Sequence, residues 1–256
     1  MPRVVVVDPD PRDVNDRKRR LYGESTGEAY AAALTSVEAA SDITICCPYE
    51  GGALPDLGKV DGVVFTGSAV DWNTDDARAE PLAEAMRAVF AAGVPAFGSC
   101  NGMQLAASVL GGTSQASPNG REDGLAKNIR LTEAGRAHPM FAGREDGFAA
   151  PCVHRDEVVR LPDGATVLAG NDHSAVQAME YARDGVRFWG VQYHPEYTLD
   201  FIGKRVLDWG RLHADVAGDL QVADRDEAAA ERLGVRFSDM QTSMRMTELR
   251  NWLASL

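Results

Sequence analysis

The chain has 256 residues, of which 45% are hydrophobic and 25% are charged, as is typical of a soluble globular protein. Its formal net charge of −12 disfavours nucleic acid or an anionic membrane as the main partner, because both would repel it. No apolar stretch reaches the roughly 18 residues of a membrane span, and the first residues do not resemble a signal peptide. We therefore expect a cytoplasmic protein that binds neither nucleic acid nor membranes.

The first half of the chain alternates apolar strands with helical patterns. Strands are predicted at Arg3–Asp8, Asp42–Cys47, Asp61–Thr66 and Val94–Gly98, all of the apolar kind that suits central parallel strands. Helices are predicted at Glu28–Ala40, Asp76–Ala92 and Asn101–Leu110. This alternation predicts an α/β fold with a doubly wound, mostly parallel sheet that binds ligands beyond the carboxyl ends of its strands.

The middle of the chain changes to shorter strands and turns. Six strands are predicted, at Lys127–Leu131, Phe148–His154, Asp156–Arg160, Ala165–Gly170, Ala175–Tyr181 and Arg187–Gln192. They predict an antiparallel ribbon that packs on the first sheet or continues it. A helix is predicted to follow at Leu199–His213.

The composition changes again after residue 213, so we divide the chain into a main domain at 1–213 and a helical extension at 214–256. Helices are predicted at Asp226–Leu233 and Ser238–Leu256. Several apolar side chains of the last helix share one face: Met240, Met244, Leu249, Trp252, Leu253 and Leu256. We expect this face to dock on the body of the protein, with a homo-oligomer contact as the alternative.

An insertion at 10–27 carries a short basic run, Arg17–Arg20. We interpret this run as a solvated helix face, with contact to an anionic substrate as the alternative.

The chain has four cysteines, and none belongs to a C-x-x-C pair. The spacing indicates neither a disulfide framework nor a zinc site, and we expect no metal and no cofactor. Cys46, Cys47 and Cys152 are interpreted as structural.

Cys100 stands in the sequence G-S-C-N-G, between a predicted strand and a predicted helix. Small neighbours are needed there because a nucleophile on a strained turn would clash with flanking Cβ atoms. The start of a helix also favours a thiolate and offers N–H groups to an oxyanion. We therefore interpret Cys100 as a nucleophile.

A cysteine nucleophile needs a base and a group that orients the base. His194 closes the predicted strand F-W-G-V-Q-Y and is followed by Pro195 and Glu196. Because proline fixes this turn, the Glu196 carboxylate is expected to reach back to the imidazole. Cys100, His194 and Glu196 are the predicted catalytic triad.

The sequences GSCNGMQ at 98–104 and GVQYHPE at 190–196 together resemble the class I, triad-type glutamine amidotransferases. Further similarity to the glutaminase domain of GMP synthetase lies in CVHRD at 152–156 and in EDG at 122–124. The segment FTGS at 65–68 falls where the family has its oxyanion loop. The resemblance extends over about residues 3–212 and implies a flavodoxin-like amidotransferase domain.

The resemblance implies that Cys100 attacks the side-chain amide of glutamine to form a γ-glutamyl thioester, with His194 as the proton shuttle. The N–H groups of Gly67 and Asn101 would hold the oxyanion. The residues implied to bind substrate are Ser68, Gln104, Val153, His154 and Arg155. Ser99, Asn101, the T-G-S loop and Arg155 depart from the common family pattern, and we expect each of them to border the substrate.

Three functions stay open on the sequence. The first is a glutaminase that supplies ammonia to a separate synthetase subunit. The second is a stand-alone hydrolase or transferase acting on another γ-glutamyl amine, peptide or conjugate. The third, a non-catalytic binding protein with a relic site, is disfavoured because all three triad residues are present.

Overall fold

A nine-stranded mixed sheet forms the centre of the computed structural model, which describes residues 1–256. The strands are β1 (Arg3–Val7), β2 (Asp42–Cys46), β3 (Gly62–Phe65), β4 (Ala96–Ser99), β5 (Thr113–Ala116), β6 (Glu122–Leu131), β7 (Phe148–His154), β8 (Asp156–Arg160), β9 (Thr166–Gly170), β10 (Ala178–Tyr181) and β11 (Phe188–Val191). Their order across the sheet is β2-β1-β3-β4-β11-β10-β9-β6-β7, and β5 pairs with β8 in a separate ribbon.

Parallel pairing joins β2, β1, β3, β4 and β11, and the remaining four strands continue the sheet in antiparallel pairs. The prediction of an α/β fold with a mostly parallel sheet and an antiparallel extension is confirmed. The carboxyl ends of β3, β4 and β11 are adjacent, so the loops that follow them meet at one edge of the sheet.

Eleven α-helices surround the strands. They are α1 (Arg12–Tyr22), α2 (Thr26–Val37), α3 (Glu80–Ala91), α4 (Asn101–Val109), α5 (Glu133–Ala137), α6 (Leu199–Asp208), α7 (Ala214–Val222), α8 (Glu227–Arg232), α9 (Phe237–Met240), α10 (Thr242–Arg245) and α11 (Thr247–Ala254). Short 3-10 turns lie at 48–50, 57–59, 77–79 and 139–141. None of these helices has both the length and the apolar character needed to cross a membrane.

The side chains of β1 alternate between the two faces of the sheet, as expected for a buried strand. Val4 and Val6 belong to one core cluster, which also receives side chains from α2 and α11. Val5 and Val7 belong to a second cluster, with α3 and α4. A third cluster lies beneath α6–α9. Helices therefore cover the parallel part of the sheet on both faces.

The C-terminal residues dock on the sheet through their apolar face, as expected. Trp252 is 2% exposed, and its ring centre lies 5.8 Å from that of Phe97 in β4. The prediction of one helix over Ser238–Leu256 is wrong, since this segment forms α9, α10 and α11. Because the apolar face is buried within the chain, it is not a free subunit surface. The domain boundary at residue 213 stays a prediction.

Strand β2 lies at an edge of the sheet and pairs only with β1. Its interpretation as a central strand is wrong, and Ile45 is 38% exposed. Strand β5 and helices α5 and α7 are not among the predicted elements, and the helix after β11 is shorter than the predicted range, which ends at residue 213. That helix, α6, ends at Asp208, and Gly210 then takes a left-handed conformation with φ of 63°.

Candidate active site

Cys100 occupies a sharp turn between β4 and α4. Its φ of 50° is unusual for a residue with a side chain. A Cβ atom on Gly98 would lie 2.6 Å from the carbonyl carbon of Gly102, and one on Gly102 would lie 2.1 Å from the carbonyl oxygen of Phe65. Both flanking glycines are therefore required by close backbone contacts, and the predicted strained turn is present.

The thiol of Cys100 lies at the amino end of α4, where the helix dipole favours negative charge. Cys100 is 6% exposed, and its Sγ atom is 3.9 Å from the carbonyl oxygen of Val153. The sulfur is thus nearly enclosed, with its remaining surface on a cleft.

His194 follows β11 and contacts both Glu196 and Cys100. Its Nδ1 atom lies 2.7 Å from Oε1 of Glu196, and both side chains are almost completely buried. Burial lowers the pKa of His194, but the charge of Glu196 and a hydrogen bond to Cys100 outweigh this effect and raise the pKa to about 10. The protonated imidazole is therefore favoured beside the sulfur.

Two further contacts fix the ring of His194. The ring of Tyr197 stacks on it, with centres 4.2 Å apart and planes 6° from parallel. A Cβ atom on Gly67 would lie 2.4 Å from Cε1 of His194, so only glycine leaves room for the ring. Tyr197 is not predicted as a site residue, because nothing in the local pattern distinguishes this aromatic residue from an ordinary core residue.

The loop after β3 contains Gly67 and Ser68 and is fastened to Asp10. The hydroxyl of Ser68 and the backbone N–H of Ala69 each donate to Oδ1 of Asp10, at 2.9 Å. Thr26 donates to the other carboxylate oxygen at 2.8 Å. The Ser68 hydroxyl therefore holds the loop in place.

Asp10 also pairs with Lys18 of α1, and both side chains are buried. Burial raises the pKa of Asp10, but the charge and hydrogen bond of Lys18 outweigh this and hold the pKa below its usual value. The interpretation of Arg17–Arg20 as a solvated helix face is wrong for Lys18, which is 5% exposed. An available signal was the acidic pair Asp8 and Asp10 at the carboxyl end of β1.

A cleft of about 790 Å³ opens over Cys100. Most of the site residues expected from sequence line it: Ser68, Cys100, Asn101, Gln104, Val153, His154, Arg155 and His194. Glu196 and Gly67 do not line it and instead contact the ring of His194. The structure thus brings all ten expected residues to the carboxyl edge of the sheet.

Several of the side chains that line the cleft are already bonded within the protein. Gln104 donates to the carbonyl oxygen of Asp156 at 2.7 Å. The imidazole of His154 contacts Glu122 at 2.9 Å and that same carbonyl oxygen at 3.1 Å. Arg155 forms a two-pronged ion pair with the carboxylate of Asp156, at 2.8 and 2.9 Å. The side chains of His154 and Arg155 are therefore already engaged within the protein.

Glu122, His154 and His173 place potential metal-ligand atoms within 4.8 Å of one another. The carboxylate of Glu122 already accepts hydrogen bonds from Asn171 and Gln177, each at 2.7 Å, besides its contact with His154. The cluster is therefore a closed hydrogen-bond network rather than an open set of donors. The expectation that the chain holds no metal stays a prediction.

Ser99 does not border the cleft, contrary to expectation. It is completely buried, and its hydroxyl lies 2.8 Å from that of Tyr30 in α2. Asn101, on the other side of Cys100, does line the cleft. Of the two unusual neighbours of the cysteine, only Asn101 is placed to contact a ligand.

A family model described as glutamine amidotransferase class-I matches residues 28–213. The chain belongs to the class I glutamine amidotransferases. Members of this family are cysteine-dependent amidohydrolases, so this amidotransferase is an enzyme. The resemblance stated from the two motifs is confirmed.

Two curated relatives of this amidotransferase differ in their named activities. A γ-glutamyl-L-1-hydroxyisopropylamide hydrolase from a Pseudomonas species is 34% identical over 205 residues, which cover 77% of this chain and 68% of that protein. A glutamine-hydrolysing GMP synthase from Nitrosomonas eutropha is 35% identical over 182 residues, 68% of this chain. The match spans only 33% of the GMP synthase.

Solved structures share the fold of this amidotransferase. A glutamine amidotransferase from Methylobacillus flagellatus gives a TM-score of 0.64 at 19% identity, over 100% of this chain and 95% of the other. One from Thermotoga maritima gives 0.64 at 16% identity, over 99% and 97%. At such identities the likeness supports the fold alone.

Proposed function

We propose that the chain hydrolyses γ-glutamyl amides through a thioester on Cys100. The observation that carries this proposal is the position of Cys100 at the start of α4, on the same cleft as a buried His194 that Glu196 orients at 2.7 Å. A nucleophile, a base and an orienting carboxylate are the three parts that covalent amide hydrolysis needs.

In the first step, the Cys100 thiolate attacks the γ-carbonyl carbon of the substrate and a carbon–sulfur bond forms. The carbon–nitrogen bond breaks as protonated His194 gives its proton to the leaving amine. Water then attacks the thioester while His194 accepts one of its protons, which releases glutamate and the thiolate. We assign the oxyanion to the N–H groups of Gly67 and Asn101, because these residues flank the ring of His194 and the sulfur.

The glutamyl end is assigned to Gln104 and to the backbone of Val153–Arg155, which line the cleft beside Cys100. The cleft volume of about 790 Å³ lies in the upper part of the range for drug-sized ligands, well above what glutamine alone requires. We therefore favour γ-glutamyl conjugates with a substantial amine portion. The activity named for the Pseudomonas relative supports a γ-glutamyl amide other than glutamine, although its amine is a small amino alcohol.

A second candidate is a glutaminase that passes ammonia to a separate synthetase. The match with the glutamine-hydrolysing GMP synthase over 182 residues supports it, and here the outer cleft would be covered by the acceptor enzyme.

The test measures glutamate release from glutamine and from a series of γ-glutamyl amides of increasing size. A higher kcat/KM for the larger amides supports the hydrolase, whereas preference for glutamine together with stimulation by an acceptor enzyme supports the glutaminase. Cys100→Ala should abolish both activities, and Cys47→Ala, which alters a half-buried cysteine away from the cleft, serves as the matched control. The proposal would be overturned if the folded wild-type protein hydrolysed none of these amides.

A further inference from the structure

Arg205 of α6 lines the cleft without a hydrogen-bond acceptor or a counter-charge in the chain. It is 4% exposed, its Nε atom is buried without an acceptor, and its guanidinium forms neither a hydrogen bond nor an ion pair. Buried charges in proteins are normally paired, because an unpaired one loses its hydration without compensation. An acceptor from outside the chain would remove this deficit.

Three aromatic rings hold the guanidinium of Arg205. Its central carbon lies 4.2 Å from the ring centre of Tyr22, 4.6 Å from that of Trp209 and 5.1 Å from that of Phe201. Such contacts stabilise a cation and restrict its orientation, but they leave the N–H donors unused. The arginine is therefore preorganised for an acceptor that enters from the cleft.

The other charged groups of the cleft wall are mostly neutralised by their own partners. Lys18 pairs with Asp10, Arg155 with Asp156, both Arg121 and Arg211 with Asp123, and Asp71 with Arg78. The lining side chains that lack an ion pair are Arg17, Arg205 and Asp208. Positive charge is thus in excess at this end of the cleft, although the whole chain carries −12.

A chain of ring contacts connects Arg205 to His194. The ring of Tyr197 lies 4.2 Å from that of His194, the ring of Phe201 lies 4.7 Å from that of Tyr197, and Arg205 lies over Phe201. In the proposed reaction His194 protonates the leaving amine. Arg205 and His194 line the same cleft, so the amine portion of a substrate bound there shares the cleft with the guanidinium of Arg205.

We propose that Arg205 binds an anionic group on the amine portion of a γ-glutamyl conjugate, with Arg17 contributing further positive charge. The substrate class is thus a γ-glutamyl amide whose amine carries a carboxylate or a phosphate, since both match the forked donors of a guanidinium. This inference rests on the proposed function and specifies the substrate of the same site.

The experiment compares substrates that differ only in charge. γ-Glutamylglycine is set against γ-glutamylglycinamide, and the γ-glutamyl amide of phosphoethanolamine against that of ethanolamine. We expect the wild-type protein to prefer one anionic member by about tenfold or more in kcat/KM, the scale of one charge-assisted hydrogen bond. The pair with the larger ratio identifies the carboxylate or the phosphate as the recognised group.

Arg205→Met should bring this ratio close to one, and Arg205→Lys should retain part of it because the charge remains. Lys204→Met is the matched control, since Lys204 lies on the same helix, is exposed and does not line the cleft. It should leave the ratio unchanged. Thermal melting of each variant establishes that it is folded, and Arg205→Lys carries the test if Arg205→Met does not fold.

The inference is overturned if the wild-type protein shows no preference for either anionic substrate. It is also overturned if Arg205→Met lowers kcat/KM by the same factor for both members of a pair. The second result would place Arg205 at the glutamyl end or in the fold alone. Failure of the proposed function looks different, because no γ-glutamyl amide would then be hydrolysed. Calorimetric binding of each pair to the Cys100→Ala protein would still measure the preference for the anionic member.

Discussion

A Cβ atom on Gly67 would lie 2.4 Å from Cε1 of His194. No real Cβ atom approaches another heavy atom so closely, so any side chain at position 67 must displace either the loop or the imidazole. The loop cannot yield freely, because Ser68 and Ala69 both donate to the buried carboxylate of Asp10. The backbone at Gly67 and the ring of His194 therefore fix each other's position.

Gly67→Ala should lower kcat on the order of a hundredfold while the protein stays folded, because a displacement of about 1 Å at a catalytic group has an effect of this size. Steady-state kinetics and circular dichroism measure the two quantities. Gly218→Ala is the control, since a Cβ atom there meets nothing within 4 Å and the residue lies in α7. An active Gly67→Ala enzyme would contradict the assigned position of the base.

The raised pKa of His194 predicts how stability changes with pH. The folded protein retains a proton to about pH 10 that an unfolded histidine releases near 6.5. The stabilisation of the folded state by the charged imidazole of His194 is therefore complete below pH 6.5 and is lost as the pH rises through about 10. The free energy of unfolding should fall across this window by at most about 1.4 kcal/mol per pH unit from this group.

Urea unfolding of the wild-type protein and of Glu196→Gln, at several pH values in this window, measures the effect. The variant should show a smaller slope, because the charge of Glu196 is the main cause that raises the pKa. Equal slopes in the two proteins would mean that Glu196 does not hold the imidazolium.

Asp10→Asn should destabilise the protein by about 3–5 kcal/mol, since it leaves the buried ammonium of Lys18 without a counter-charge. The double variant Asp10→Asn with Lys18→Met should recover much of this stability but not the catalytic rate, because the loop at Ser68 loses its charged acceptor. Urea titration and kinetics on both proteins separate the two effects.

The control is Asp200→Asn, which removes an exposed ion pair with Lys204 and should lower the free energy of unfolding by only about 0.5 kcal/mol or less. If the double variant regains full activity, Asp10 does not position the loop.

Ser99→Ala should lower the free energy of unfolding by about 1–3 kcal/mol, because the hydroxyl of Tyr30 is left buried without a partner. Adding Tyr30→Phe removes that hydroxyl and should restore most of the loss. Neither variant should change the ratio of kcat/KM between two γ-glutamyl amides. A changed ratio would return Ser99 to the substrate-binding surface.

Local sequence was sufficient to predict the parts of the site that are formed locally. The turn at Cys100 depends on Gly98 and Gly102, both within two residues of it, and Glu196 reaches His194 across a single proline. The order of the parallel strands then brings the ends of β4 and β11 together. These features could be predicted because they depend on short-range geometry and a general rule of α/β sheets.

The remaining features depend on contacts between distant positions. The edge position of β2 follows from strand order, which its apolar sequence does not encode. The hydrogen bond between Tyr30 and Ser99 joins residues that are 69 positions apart, so local sequence does not encode it. The aromatic rings around Arg205 likewise come from two distant helices, α1 and α6. In the C-terminal segment, the apolar residues keep a helical spacing although the helix is interrupted at Gln241, which is extended. Neither glycine nor proline lies at this break, so the sequence does not indicate it.

The central claim is that Cys100 forms a covalent γ-glutamyl intermediate with the help of His194 and Glu196. An electrophilic glutamine analogue that alkylates activated thiols tests it most directly, with the adduct located by peptide mass mapping among the four cysteines. We predict one adduct per chain, on Cys100, formed much more slowly in Glu196→Gln and competed by γ-glutamyl amides. Modification of Cys46, Cys47 or Cys152 instead, or no modification of the folded protein, would contradict the claim.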